Sequence, residues 1–128
     1  MKSEMFNGGA CGIEQIIFLG SVDYTATGNT KLARTLPAGF KLTRVIVDVK
    51  SGFNAATTNT ISIGAKDEYE KYMSTSDVTA DTTGQYIKNM FTDIGDTDVE
   101  VYATYSQSGT AATAGEAEIW AYVARVDV

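Results

Sequence analysis

The chain has 128 residues and a mass of 13.7 kDa, which suits one domain of ordinary size. Ten Lys and Arg stand against sixteen Asp and Glu, a net charge of −6, so the chain repels phosphate backbones and nucleic acid is not expected as a partner. Histidine is absent and cysteine occurs once, at Cys11, which removes the commonest general base, the commonest metal ligand and any internal disulfide.

Hydrophobic residues make up 44% and charged residues 20% of the chain, the composition of a folded globular protein. Surface scaling allows about two-thirds of the unfolded surface to be buried. No apolar run approaches the roughly 18 residues of a membrane span. Residues 1–12 contain no apolar h-region, so no signal peptide and no membrane partner are expected.

Along the chain, Gly8, Gly9 and Gly12 mark residues 1–12 as a flexible arm. No strand precedes these glycines and no Lys-Ser or Lys-Thr follows, so they do not make a phosphate loop. Residues 13–23 predict a strand with Ile13, Ile17 and Leu19 on one face and Ile16 and Phe18 on the other. Apolar residues on both faces predict burial on both, the second by a neighbouring subunit. A turn at 25–30 leads to a short strand at 31–35. Leu36-Pro37-Ala38-Gly39 is a tight turn, with proline fixing φ and glycine free to take positive φ.

Residues 40–50 predict the clearest strand, with Val45, Val47 and Val49 on one face and Arg44, Ile46 and Asp48 on the other. A small, polar connection at 51–59 precedes a strand with Ile61 and Ile63 inward. At 65–74, Tyr69, Tyr72 and Met73 recur at helical spacing and predict about two turns of helix. Strands follow at 85–91, 97–106 and 116–126. In the last, Ala117, Ile119, Ala121 and Val123 face one way and Glu118, Trp120 and Tyr122 the other.

These elements predict an all-β fold: a single-domain antiparallel β-sandwich or jelly-roll-like body over residues 13–128. It has about seven to eight strands and at most one short helix. Nothing at a fixed period repeats.

The search for chemistry finds weak candidates. Asp93, Asp96 and Asp98 lie close in sequence with Glu100, and oxygen-rich loops hold calcium. The order of an EF-hand loop is missing, however, and a solvated turn guarding a strand edge is the plainer reading. Cys11 has no histidine to activate it. The mixed charges at 66–71 lack a nucleophile or an oxyanion donor. No cofactor and no catalytic residues are expected.

Aromatic residues supply the remaining signal. If the last two strands pair, Tyr102, Trp120 and Tyr122 share a face with Glu100 and Glu118. Such a face suits subunit packing or stacking on sugars.

Three stretches together resemble a known group of proteins. They are TLPAGF at 35–40 with LTRVIVDV at 42–49, GFNA at 52–55 with NTISIG at 59–64, and AGEAEIWAY at 114–122. Their order and spacing, across residues 30–125, resemble small virion structural proteins of tailed bacteriophages: capsid decoration or cement proteins, head-fibre bases and tail-associated proteins. The matching residues are scaffold: Phe53 a hydrophobic plug, Asn54 and Asn59 caps of turns.

The resemblance implies a non-enzymatic decoration protein that stabilises a phage head through subunit interfaces. It would be located in the virion and assembled in the host cytoplasm. The implied partners are the major capsid protein or another virion protein and further copies of the chain, a homotrimer preferred. Ile13, Ile16, Phe18, Phe53, Tyr102, Trp120 and Tyr122 are the interface candidates. The rival reading is a tail, neck or head-fibre component, including a carbohydrate-binding receptor-recognition module.

Overall fold

A computed structural model of the chain describes residues 14–125. Eight strands run in chain order: β1 (Glu14–Asp23), β2 (Gly28–Leu36), β3 (Lys41–Ser51), β4 (Thr58–Ala65), β5 (Glu68–Met73), β6 (Gly84–Asp93), β7 (Val99–Ser108) and β8 (Glu116–Ala124). They form two four-stranded sheets, β1-β8-β3-β6 and β2-β7-β4-β5. Every pairing is antiparallel.

The pairing is nested. β1 pairs with β8, β2 with β7, β3 with β6 and β4 with β5. The chain is one long antiparallel ribbon, turned back at β4–β5 and rolled until β8 meets β3 and β7 meets β4. Successive strands therefore change sheet, except across the β4–β5 hairpin.

The period of two explains what is inside. On β3, Val45, Val47 and Val49 point inward; on β8, Ala117, Ile119, Ala121 and Val123 do. They meet Ile61 and Ile63 of β4 and Val101, Ala103 and Tyr105 of β7 from the other sheet. Alternation of this regularity buries one face of each sheet against the other. The predicted sandwich is the observed architecture.

The predicted helix at 65–74 is a strand. Lys66 and Asp67 form the hairpin turn, Asp67 with φ +65°, a conformation that Asp tolerates. β5 then pairs with β4, Ile63 opposite Met73 and Ala65 opposite Glu68. Tyr72 and Met73 are both buried, so adjacent residues contribute to the core where the end of the strand leaves the regular pattern. That local irregularity imitates helical spacing. The only helical turn among the described residues is 3-10, Thr75–Asp77.

Side chains hold the loops at one end of the sandwich. Asn54 Oδ1 accepts the backbone N–H groups of Thr113 and Ala114 at 2.8 and 3.0 Å. Asn59 Oδ1 accepts from Ala55 N–H at 3.0 Å and from the Tyr105 hydroxyl at 2.8 Å. Both asparagines thus cap turns as expected. Phe53 fills the space beneath them, 0% exposed, its ring 4.6 Å from that of Tyr105.

Candidate functional site: an apolar outer face

The two sheets have different outer faces. On β2-β7-β4-β5 the register aligns Asn29, Thr104 and Ser62, and then Thr60 with Ser106 and Thr58 with Ser108. This face is rich in hydroxyls and joined by side-chain bonds such as Thr104 to Asn29 and Thr58 with Ser108. Apart from Ser62, which is 3% exposed, it is the polar outer face expected of an antiparallel sandwich.

The outer face of β1-β8-β3-β6 is apolar where water should be. Phe18 stands opposite Trp120, Trp120 opposite Ile46, and Ile46 opposite Ile87. One row of large hydrophobic side chains thus crosses all four strands. The next row is Ile16, Tyr122, Arg44 and Asn89. Phe91 extends the patch along β6. Ile16 is 54%, Phe18 39%, Ile87 51% and Phe91 65% exposed, and these four are all the exposed large hydrophobic residues among the described ones. Scattered exposed apolar residues need no explanation, but a contiguous patch marks an interaction surface.

The strands impose this arrangement. The residues that place Val45, Val47, Ile119 and Ala121 inside place Ile46 and Trp120 outside, because neighbours point to opposite faces. On β1 a bulge between Phe18 and Gly20 shifts the alternation, so that Leu19 and Val22 are buried while Ile16 and Phe18 stay out. The Phe18 and Trp120 rings meet at 4.9 Å, tilted by 52°. Cations sit over two other rings, Arg44 at 4.8 Å from the Tyr122 centroid and Lys41 at 5.0 Å from that of Phe91. Aromatic residues and arginine together are the composition of an interface core.

Charge borders the apolar row. Lys50 pairs with Asp48 at 2.8 Å and lies 3.9 Å from Glu118. The hydrogen bond with Asp48, and then its charge, hold the Lys50 ammonium above its usual range. Between Trp120, Tyr122, Ile46, Asp48 and Glu118 lies an open depression of about 270 Å³. That is just below the roughly 300–1,000 Å³ of small-molecule sites.

The predicted interface residues separate. Ile16, Phe18, Trp120 and Tyr122 come together on this face. Tyr102 does not, because β7 and β8 do not pair; they lie in different sheets. It sits on the hydroxyl-rich face against Tyr69, ring centroids 5.6 Å apart. Phe53 is a core residue with no exposed surface, so it is a plug and not a contact for a partner. Ile13 and Cys11 lie outside the described residues.

Two carboxylates of the acidic turn have partners within the chain. Asp98 Oδ1 accepts the Ala38 N–H at 2.8 Å, and Asp93 pairs with Lys41 at 2.6 Å. Asp93, Asp96 and Asp98 are not brought together, and no cluster of three or more Cys, Asp or Glu able to hold a metal ion occurs among the described residues.

Sequence reasoning did not single out Ile46, Ile87 and Phe91 as site residues. Ile46 had already fallen on the outer side of its strand. What was missing was that β6 lies beside β3, which turns isolated outward residues into one row.

No protein-family model and no curated protein matches the chain. Solved structures do. A chain of the cyanophage Pam1 capsid asymmetric unit superposes with a TM-score of 0.69 at 16% identity, over 97% of this chain and 93% of that one. A chain of the acidic stable capsid of Helicobacter pylori bacteriophage KHP30 gives 0.56 at 15% identity, over 88% and 93%. This chain therefore has the fold of chains found in two phage capsids.

Proposed function

We propose that the protein is a non-enzymatic structural component of a phage virion, a decoration protein that reinforces the head through its interfaces. The observation that carries this reading is the apolar row Phe18–Trp120–Ile46–Ile87 on the outside of a body with a capsid-chain fold. The nested strand order reads as a jelly roll, a fold used by viral capsid domains. A sandwich with one solvated and one apolar outer face docks through the latter, and its partners are virion proteins and further copies of the chain. The family resemblance favours a homotrimer.

The test is immunogold labelling of particles from the source that encodes the chain, with antibody raised against the purified protein. Regular labelling of heads is expected. Labelling confined to tails or fibres, or absent from particles, overturns the decoration reading.

A second reading has its own support. Trp120 and Tyr122 line a depression beside Asp48 and Glu118, as in a sugar-binding module. Saturable quenching of Trp120 fluorescence by a glycan would favour it. The Phe18 ring already lying against Trp120 weighs the other way.

A further inference from the structure

We infer that the apolar outer face is covered by the N-terminal segment of its own chain, residues 1–13, with Phe6 seated in the depression between Ile46, Trp120 and Tyr122. This goes beyond the virion reading and does not rest on it.

The start of β1 fixes where the segment joins the body. Glu14 lies level with Ala124 of β8, Ala124 with Lys41 of β3, and Lys41 with Asp93 of β6. The Thr43 hydroxyl donates to the Glu14 carboxylate at 2.5 Å, which ties this end of β1 across β8 to β3. Phe18, further along β1, is level with Trp120, Ile46 and Ile87. The segment therefore joins the body at one end of the apolar face, about 13 Å from the row.

The lengths agree. Residues 1–13 precede Glu14 and can span about 43 Å when extended, at about 3.3 Å per residue. Reaching back from Glu14 to the level of the row takes about four residues. Crossing four strands at about 4.8 Å spacing covers about 14 Å and takes about four more. With a residue spent at each bend, that path carries Phe6 over the middle of the row, between Trp120 and Ile46. Gly12, and Gly8 with Gly9, stand where the path bends, and glycine is the residue that turns most freely.

The chemistry fits an apolar seat. Phe6 is the only aromatic residue of the segment, with Met5 beside it. The open depression of about 270 Å³ is lined by Ile46, Trp120 and Tyr122, a seat for one ring. Aromatic pairs add to the gain from burial, and methionine adapts to an irregular apolar surface. A short tether holds the segment at about millimolar effective concentration. In dilute solution the chain's own segment therefore displaces one from another molecule. A virion partner then meets the face with its segment in place.

Trp120 is the only tryptophan of the chain and lies within the row, so its fluorescence reports the cover. The experiment is acrylamide quenching of the purified full chain over a dilution series that light scattering follows down to the monomer. Thermal melting checks that each variant is folded. The wild-type monomer is expected to be shielded. Phe6→Ser, outside the sandwich itself, is expected to raise the quenching constant about twofold at every dilution, and deletion of residues 1–12 to raise it as much.

Quenching that neither variant changes overturns the inference. So does shielding that appears only as concentration rises, which makes a second molecule the occupant. A deletion that raises quenching while Phe6→Ser does not overturns the seat assigned to Phe6.

Discussion

Two phenylalanines that both drew attention in the sequence should behave oppositely. Phe53 is fully buried, its ring 4.6 Å from Tyr105 and close beneath Gly115. Removing such a ring loses its transfer free energy and leaves a cavity that the capped loops around it cannot collapse into. Phe→Ala changes of this kind cost about 3–5 kcal/mol. Unfolding entropy near 2.1 cal/mol/K per residue gives about 0.27 kcal/mol/K for this chain, so 4 kcal/mol lowers Tm by about 15 °C. Phe18 is 39% exposed and rests on Trp120. Phe18→Ala loses part of one aromatic contact, about 1 kcal/mol, because the space it leaves opens to water. Its larger effect falls on association. The assay is thermal and urea unfolding of both variants at low concentration, beside light scattering at high concentration. A Phe53→Ala loss below about 1.5 kcal/mol, or a Phe18→Ala loss that equals it, would refute the division between core and contact residue.

Three further outcomes are expected. Gly115 has φ +146°, and a Cβ there would lie 2.5 Å from the Phe53 ring, whereas one on Gly28 at φ +89° meets nothing within 4 Å. Gly115→Ala should therefore cost about 3 kcal/mol in urea unfolding, adding a clash to backbone strain, and Gly28→Ala about 1 kcal/mol from strain alone. The Asp77 carboxylate accepts the Ser74 N–H at 2.9 Å, and Glu100 bonds to Lys31 at 2.9 Å. These bonds lower both carboxyl pKa values. Their stabilisation is thus present above the unfolded values near pH 4 and is lost as pH falls through the folded ones; melting against pH should show that acid limb, flattened in Asp77→Asn with Glu100→Gln. Deleting residues 1–12 should leave the melting temperature within a few degrees and weaken assembly; unchanged light scattering would remove the segment from the assembly mechanism.

Much of the architecture could be read from period-two alternation. Val45, Val47, Val49 and Ala117, Ile119, Ala121, Val123 are a strand signal that only a two-layer sandwich can use twice. Asn54 and Asn59 were legible as caps because a short amide between small residues has few other uses. The 65–74 hairpin was not legible. Its turn rests on Asp67 at φ +65°, without the Asn-Gly or Asp-Gly pair that announces a tight hairpin. The adjacent buried pair Tyr72 and Met73 then imitates a helix face.

The outer face was half legible, and the missing half is topology. Alternation tells which residues of one strand look outward but not which strand lies beside it. Reading β7 and β8 as neighbours places Tyr102 beside Trp120; the nested ribbon instead sends consecutive strands to opposite sheets and joins β8 to β1 and β3. Those partners come from the far ends of the chain, and no local signal marks them. Once they are in place, four unremarkable outward residues from four strands become one apolar row, bordered by Asp48, Lys50 and Glu118. A solvated sheet has no use for that arrangement, as the hydroxyl-rich face of the other sheet makes plain. Scattered outward apolar residues need no explanation, whereas a row that crosses all four strands marks an interaction surface.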